Sequence, residues 1–177
     1  MPGMARLLTL VLGLLGLAVL LVSAYLGYLY PSAEVLRETG SLYAIASLDP
    51  LSRAIMIFAN NAMVAGELAA GALLLVPAYA LLAVNGYVTG TYLGHYSSVH
   101  PLSSMLLALL PHGVFEITAY IYVVAKASTI SVDVFRRRIS AREAAEGLVS
   151  VMGFALYLLL VAAFIESYVS PLLLARH

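Results

Sequence analysis

Pro111-His112-Gly113-Val114-Phe115-Glu116 places an imidazole and a carboxylate four residues apart inside an apolar run from about Leu102 to Ala125. At helical spacing the two side chains share one face. Such a pair can pass a proton, bind a small cation or substrate, or fasten helices through hydrogen bonds. It can also hold a divalent metal from one helix, but a pair lacks the further ligands that a metal site needs. Pro111 has no backbone N–H and disfavours helical geometry at Leu110. The Leu107 carbonyl therefore loses its partner, and the helix is expected to be broken or kinked there.

The chain has only three asparagines, Asn60, Asn61 and Asn85, and all lie in apolar surroundings together with Glu67. Asn60 and Glu67, seven apart, share a helix face, and Tyr120 extends the stripe begun by His112 and Glu116. At about 1.5 Å per residue, Asn60 and His112 fall near the middle of the bilayer, and Glu67 and Glu116 in its inner half. The candidate ligand- or ion-binding residues are therefore Asn60, Asn61, Glu67, Asn85, His112 and Glu116. His112 and Glu116 are also the metal candidates; no other cofactor is implied. Two readings stand side by side. Mid-membrane ionisable groups cost roughly 2.5–3.5 kcal/mol on insertion and usually mark a site for a proton, cation or small substrate. The same groups can instead lock helices or subunits together at about 0.6–2 kcal/mol per hydrogen bond.

The elements that must position these residues are membrane helices. Hydrophobic residues make up 63% of the chain, charged residues 10%, and mean hydropathy is +0.99, outside the soluble globular range. No Asp, Glu, Lys or Arg occurs from Leu7 to Ala33, from Leu68 to Phe115, or from Gly147 to Ile165. A span needs about 20 mainly apolar residues, so the fold class is all-α, a polytopic integral membrane bundle of about five transmembrane helices. These are expected over 6–30, 50–70, 72–95, 102–127 and 143–169, with an outer segment 31–49 and an inner basic linker 128–142. The whole chain is then a single membrane domain.

Local signals set the ends. Ser32 can cap a short helix that Gly40 ends, and Leu42-Tyr43-Ala44-Ile45 suits the membrane surface. Asp49-Pro50 starts the second span, and Ser140-Ala141-Arg142-Glu143 has the capping-box pattern that starts the fifth. The positive-inside rule puts Arg6, Lys126, Arg136, Arg137, Arg138 and Arg142 in or next to the cytoplasm, leaving Arg37, Arg53 and Arg176 outside. The N-terminus is thus cytoplasmic and the C-terminus outside in a multi-pass protein of the cell membrane. A reentrant pair in place of the second and third spans keeps the same parity. Tyrosines at 25, 28, 30, 92, 96 and 168 fall at the outer ends. Glu166 is expected near that interface, reaching water, with His95 and His100 in a short outer loop. The triple arginine suits anionic headgroups.

Gly86, Gly90 and Gly94 form a GxxxGxxxG row that suits close helix packing, as Pro111 and Gly113 suit local backbone adjustment. The lipid bilayer is the first partner; a homodimer or higher homo-oligomer is the default assembly, with an envelope protein as a further partner. Net charge is zero and the only basic run is Arg136-Arg137-Arg138, so nucleic-acid binding has no footprint. There is no cysteine, phosphate loop, GxSxG or HExxH, so enzymatic catalysis is not expected. The absence of glutamine and scarcity of asparagine suggest a thermophilic source.

Asn60-Asn61, Gly71, Asn85-Gly86 with Gly90, and Pro111-His112-Gly113 followed by Glu116 together resemble the stage II sporulation protein M family. The likeness is close over about Leu51 to Ala127 and extends to the flanking spans by hydropathy. The resemblance implies about five transmembrane helices. It also implies a membrane scaffold, because the family's namesake works with a peptidoglycan-degrading partner during engulfment, in a cell-envelope complex. Pro77 departs from the small or polar residue expected at that position.

Overall fold

The computed structural model describes residues 2–38 and 47–174. Gly40, Leu42-Tyr43-Ala44-Ile45 and Arg176 lie outside the described residues. Every regular element among them is helical. In chain order these are α1 (Pro2–Leu29), α2 (Ala33–Glu38), α3 (Pro50–Ala72), α4 (Val76–Tyr96), α5 (Leu102–Phe135), α6 (Ala141–Tyr168) and α7 (Ser170–Leu174).

Four stretches are long and apolar enough to cross a membrane: Gly3–Leu29, Pro50–Ala72, Leu102–Phe135 and Ala141–Leu173. The protein is an integral, multi-pass membrane protein. α4 has 21 residues, about 32 Å of helix, which is also enough to span. Its Gly86, Gly90 and Gly94 face α1.

That packing follows from the glycine row. A Cβ on Gly86, Gly90 or Gly94 would collide with the backbone carbonyls of Leu20, Ala24 and Tyr28 respectively, and one on Gly27 would collide with that of Tyr87. The three glycines advance in step with α1, so the two helices run parallel with their backbones touching. Tyr79 reinforces the register by donating from its hydroxyl to the Leu12 carbonyl at 3.2 Å. Small residues are what allow such an approach when lipid offers no hydrophobic penalty for staying apart.

The core forms where α3, α5 and α6 meet α1 and α4. Leu68, Leu82, Val123, Val124 and Leu159 are fully buried there. The outer surface is almost wholly apolar, with Leu7, Leu10, Leu14 and Val22 of α1 more than half exposed, as lipid contact requires.

Helix ends largely follow the local signals. Asp49 accepts from the backbone of Leu51 and Ser52 at 3.1 Å each, with Pro50 opening α3. Ser140 and Glu143 form a reciprocal capping box at the start of α6. Ser32 accepts from Val35 N at 3.3 Å and starts α2.

Three boundaries differ from expectation. α3 runs through Gly71 and turns at 73–75, where i→i−3 bonds to Ala70, Gly71 and Ala72 close the helix and Leu75 takes a positive φ of 66°. Gly71 is instead where the hairpin closes up: a Cβ there would lie 2.9 Å from Ala78 N. Second, α5 continues as helix to Phe135, so the linker expected over 128–142 shrinks to 136–140. Buried Ser128, Thr129 and Ser131 explain this, because they face the bundle rather than water; Ser131 donates to the Leu73 carbonyl at 2.7 Å. Third, α5 passes through Pro111 without a break. Neighbouring polar groups in a membrane bundle can take up the backbone groups that proline disturbs. Here Ser170 donates to the Ala108 carbonyl in that same turn, at 2.8 Å.

Candidate intramembrane polar site

α3 turns Ala54, Ile57, Asn61, Ala65, Leu68 and Ala72 towards the bundle, and all are buried. Asn61 is the asparagine on this face. Asn60 and Glu67, set about 100° or more around the helix from that stripe, are exposed. The Asn61 Nδ2 amide donates to Glu116 Oε1 across the α3–α5 boundary. Its orientation is set from behind, because Asn60 Nδ2 donates to Asn61 Oδ1 at 3.2 Å. Asn61 therefore presents its N–H groups, rather than its oxygen, to the carboxylate.

His112, one turn from Glu116 on α5, is 7% exposed. Its Nδ1 lies 3.1 Å from Ser170 Oγ, and its Nε2 lies 3.9 Å from Glu166 Oε2 on α6. Glu166 is also within electrostatic reach of both Glu116 and Arg53. Arg53, in the first turn of α3, donates from Nη2 to the Leu48 carbonyl at 3.4 Å, while its Nε is buried without a partner among the described residues. The Ser167 hydroxyl donates to the Pro50 carbonyl and sets the end of α6 level with the start of α3.

That last contact brings the cluster to where the start of α3 and the end of α6 meet. The cluster starts at the end of the bundle that carries Arg53 and Glu166. It reaches inward to Asn61, eight residues or about 12 Å along α3. Glu166, expected near an interface and reaching water, is 35% exposed at its side chain and also lies 3.9 Å from His112.

A model of the family described as stage II sporulation protein M matches residues 7–171, nearly the whole chain. The chain belongs to the stage II sporulation protein M family. No curated protein and no solved structure matches it.

The residues that carry the family resemblance lie in separate places. Asn61, His112 and Glu116 meet in the cluster, with Asn60 attached through Asn61. Asn85 does not join them: its amide donates to the Leu81 carbonyl of its own helix at 2.9 Å, and Gly86 and Gly90 face α1. Gly113 is buried with only ordinary contacts, the nearest to Leu109 Cγ at 3.7 Å from an added Cβ. Glu67 lies six residues beyond Asn61, about 9 Å further along α3, and points away from the bundle. His112 and Glu116 do not converge on a shared metal position, since one faces Ser170 and Glu166 and the other Asn61. Among the described residues, no three His, Cys, Asp or Glu side chains are placed to hold a metal ion.

Sequence reasoning missed Arg53, Glu166, Ser167 and Ser170. A signal for two of them is present in the chain. Glu166 ends the uncharged run from Gly147 and stands four residues before Ser170, the same spacing as His112 and Glu116.

Proposed function

We propose that the protein is a channel- or transporter-like membrane protein whose working site is the cluster of Arg53, Asn61, His112, Glu116 and Glu166. One observation carries the reading: two carboxylates and an imidazole from two helices meet inside a membrane bundle, opposed by a single guanidinium. Intramembrane groups of this kind mark ion and proton pathways. The solute is a proton or small cation that passes unaltered, without catalysis. By the positive-inside rule the end with Arg136, Arg137 and Arg138 faces the cytoplasm and the cluster opens outwards across the cell membrane. Purified protein in liposomes should support a proton or cation flux that Glu116→Gln or His112→Ala abolishes. Wild-type vesicles as tight as empty ones across a broad ion panel would refute it.

A second reading, a noncatalytic scaffold in an envelope complex, is favoured by the outward face of α3. Asn60, Met63 and Glu67 are exposed there among the described residues, and a Cβ on Gly66 would meet nothing within 4 Å. A second copy or an envelope protein would cover that face. Crosslinking through cysteines placed at position 63 distinguishes this reading: covalent dimers or captured partners support it, and monomers throughout count against it.

A further inference from the structure

We propose that His112 and Glu166 hold one exchangeable proton between imidazole Nε2 and the carboxyl, and that Ser170 is the positioning residue that presents that nitrogen. The proposal rests on reading the cluster as the working site, and it names the cation as a proton.

Hydrogen-bond inventory fixes the ring. A serine hydroxyl has one proton, and a carbonyl oxygen only accepts. Ser170 lies 2.8 Å from the Ala108 carbonyl and 3.1 Å from His112 Nδ1. Its proton is committed to Ala108, so its oxygen can only accept from Nδ1–H. The neutral imidazole therefore carries its proton on Nδ1 and turns the Nε2 lone pair towards Glu166 Oε2, 3.9 Å away. A movement of about 1 Å, within the freedom of the Glu166 side chain, brings the pair to hydrogen-bond distance.

The surroundings suit a proton better than a metal cation. Hard cations gather about six or more oxygen ligands. Here Asn61 Nδ2 donates to Glu116, and the Arg53 guanidinium acts on Glu166 through its charge. The groups facing the pair are Arg53 and Asn61 from α3, Glu116 and the buried Tyr120 from α5, and Ser170 from α7. Two carboxylates against one guanidinium leave one negative charge, which a single proton neutralises. That proton comes from solvent at the partly exposed Glu166 and returns there, adding to and leaving a lone pair with no other bond changed.

The test is ring-nitrogen NMR on 15N-histidine protein in lipid nanodiscs. The chain has four histidines, and His112→Ala identifies the relevant signals by their loss. The expected result is a neutral His112 with its proton on Nδ1. Ser170→Ala, checked for intact fold by circular dichroism and size exclusion, loses that tautomer preference, and Ser170→Thr retains it. Glu166→Gln moves the midpoint of the His112 titration by about a pH unit or more while the Nδ1–H signal persists. A wild-type ring protonated on Nε2 with Nδ1 bare, or a titration indifferent to Glu166→Gln, overturns the proposal. Absent flux with the expected NMR signals retires the transport reading alone and leaves the shared proton standing.

Discussion

Replacing Gly90 by alanine adds one methyl group, and the structure says where it goes. The new Cβ would strike the Ala24 carbonyl oxygen and lie 2.7 Å from the Ala24 carbonyl carbon and 2.9 Å from its Cα, where ordinary contact begins near 3.4 Å. All three atoms are backbone, so no rotamer change relieves the clash; α1 and α4 must part by at least half an ångström. A gap of 0.5–1 Å forfeits about a quarter to a half of each dispersion contact along the seam. Overpacking of this kind costs about 1–3 kcal/mol, against which alanine's better helix propensity returns up to about 1 kcal/mol. At the middle of these ranges the net expectation is a loss of about 1 kcal/mol, or roughly 2–4 °C in Tm for a chain of this length. Gly66→Ala is the internal control. It brings the same propensity gain, but its Cβ meets nothing within 4 Å, so its Tm should equal or exceed that of wild type. The assay is thermal unfolding in a mild detergent, followed by tyrosine fluorescence or by recovery of monodisperse protein. A Gly90→Ala protein at least as stable as wild type, or a Gly66→Ala protein that loses as much, would refute the reasoning.

The two polar residues of α3 should behave oppositely. Asn61→Ala strips Glu116 of the donor it has among the described residues and should cost about 1–3 kcal/mol, whereas Glu67→Ala, on the outward face, should leave the unfolding of the solubilised monomer within about 0.5 kcal/mol; denaturant titrations of both variants check this. The N-cap of α3 should weaken in acid. The Ser52 hydroxyl, and then the backbone N–H groups of Ser52 and Leu51, hold the Asp49 carboxyl below its usual 3.8. A depressed carboxylate stabilises fully above its unfolded value and loses that contribution as pH falls through the folded one, so the effect appears below about pH 4. Asp49→Asn keeps a capping oxygen without the titration, and its stability should be flatter than wild type in that window.

Composition and charge spacing alone determine that this chain is a helical membrane protein, because long uncharged runs admit no other home. The capping signals at Asp49 and Ser140 are equally local, since each needs only residues within three or four positions. The tight glycine seam is half legible: GxxxGxxxG announces a close neighbour, but only the fold names α1 as that neighbour. What the sequence could not say is which face of each helix turns inward. In lipid both faces of α3 are apolar, so the periodicity that marks the buried side of a soluble helix is absent. Seven-residue spacing favoured Asn60 with Glu67, and packing chose Asn61. The cluster around His112 and Glu116 was found from one helix, yet its other half, Arg53, Glu166 and Ser170, comes from segments on either side of it in the chain, which the bond between Ser167 and Pro50 joins across 117 residues. Their meeting depends on α6 ending level with the start of α3. Helix ends can be read from the chain, but their relative heights are set by packing, and those heights turned an isolated His–Glu pair into a shared site.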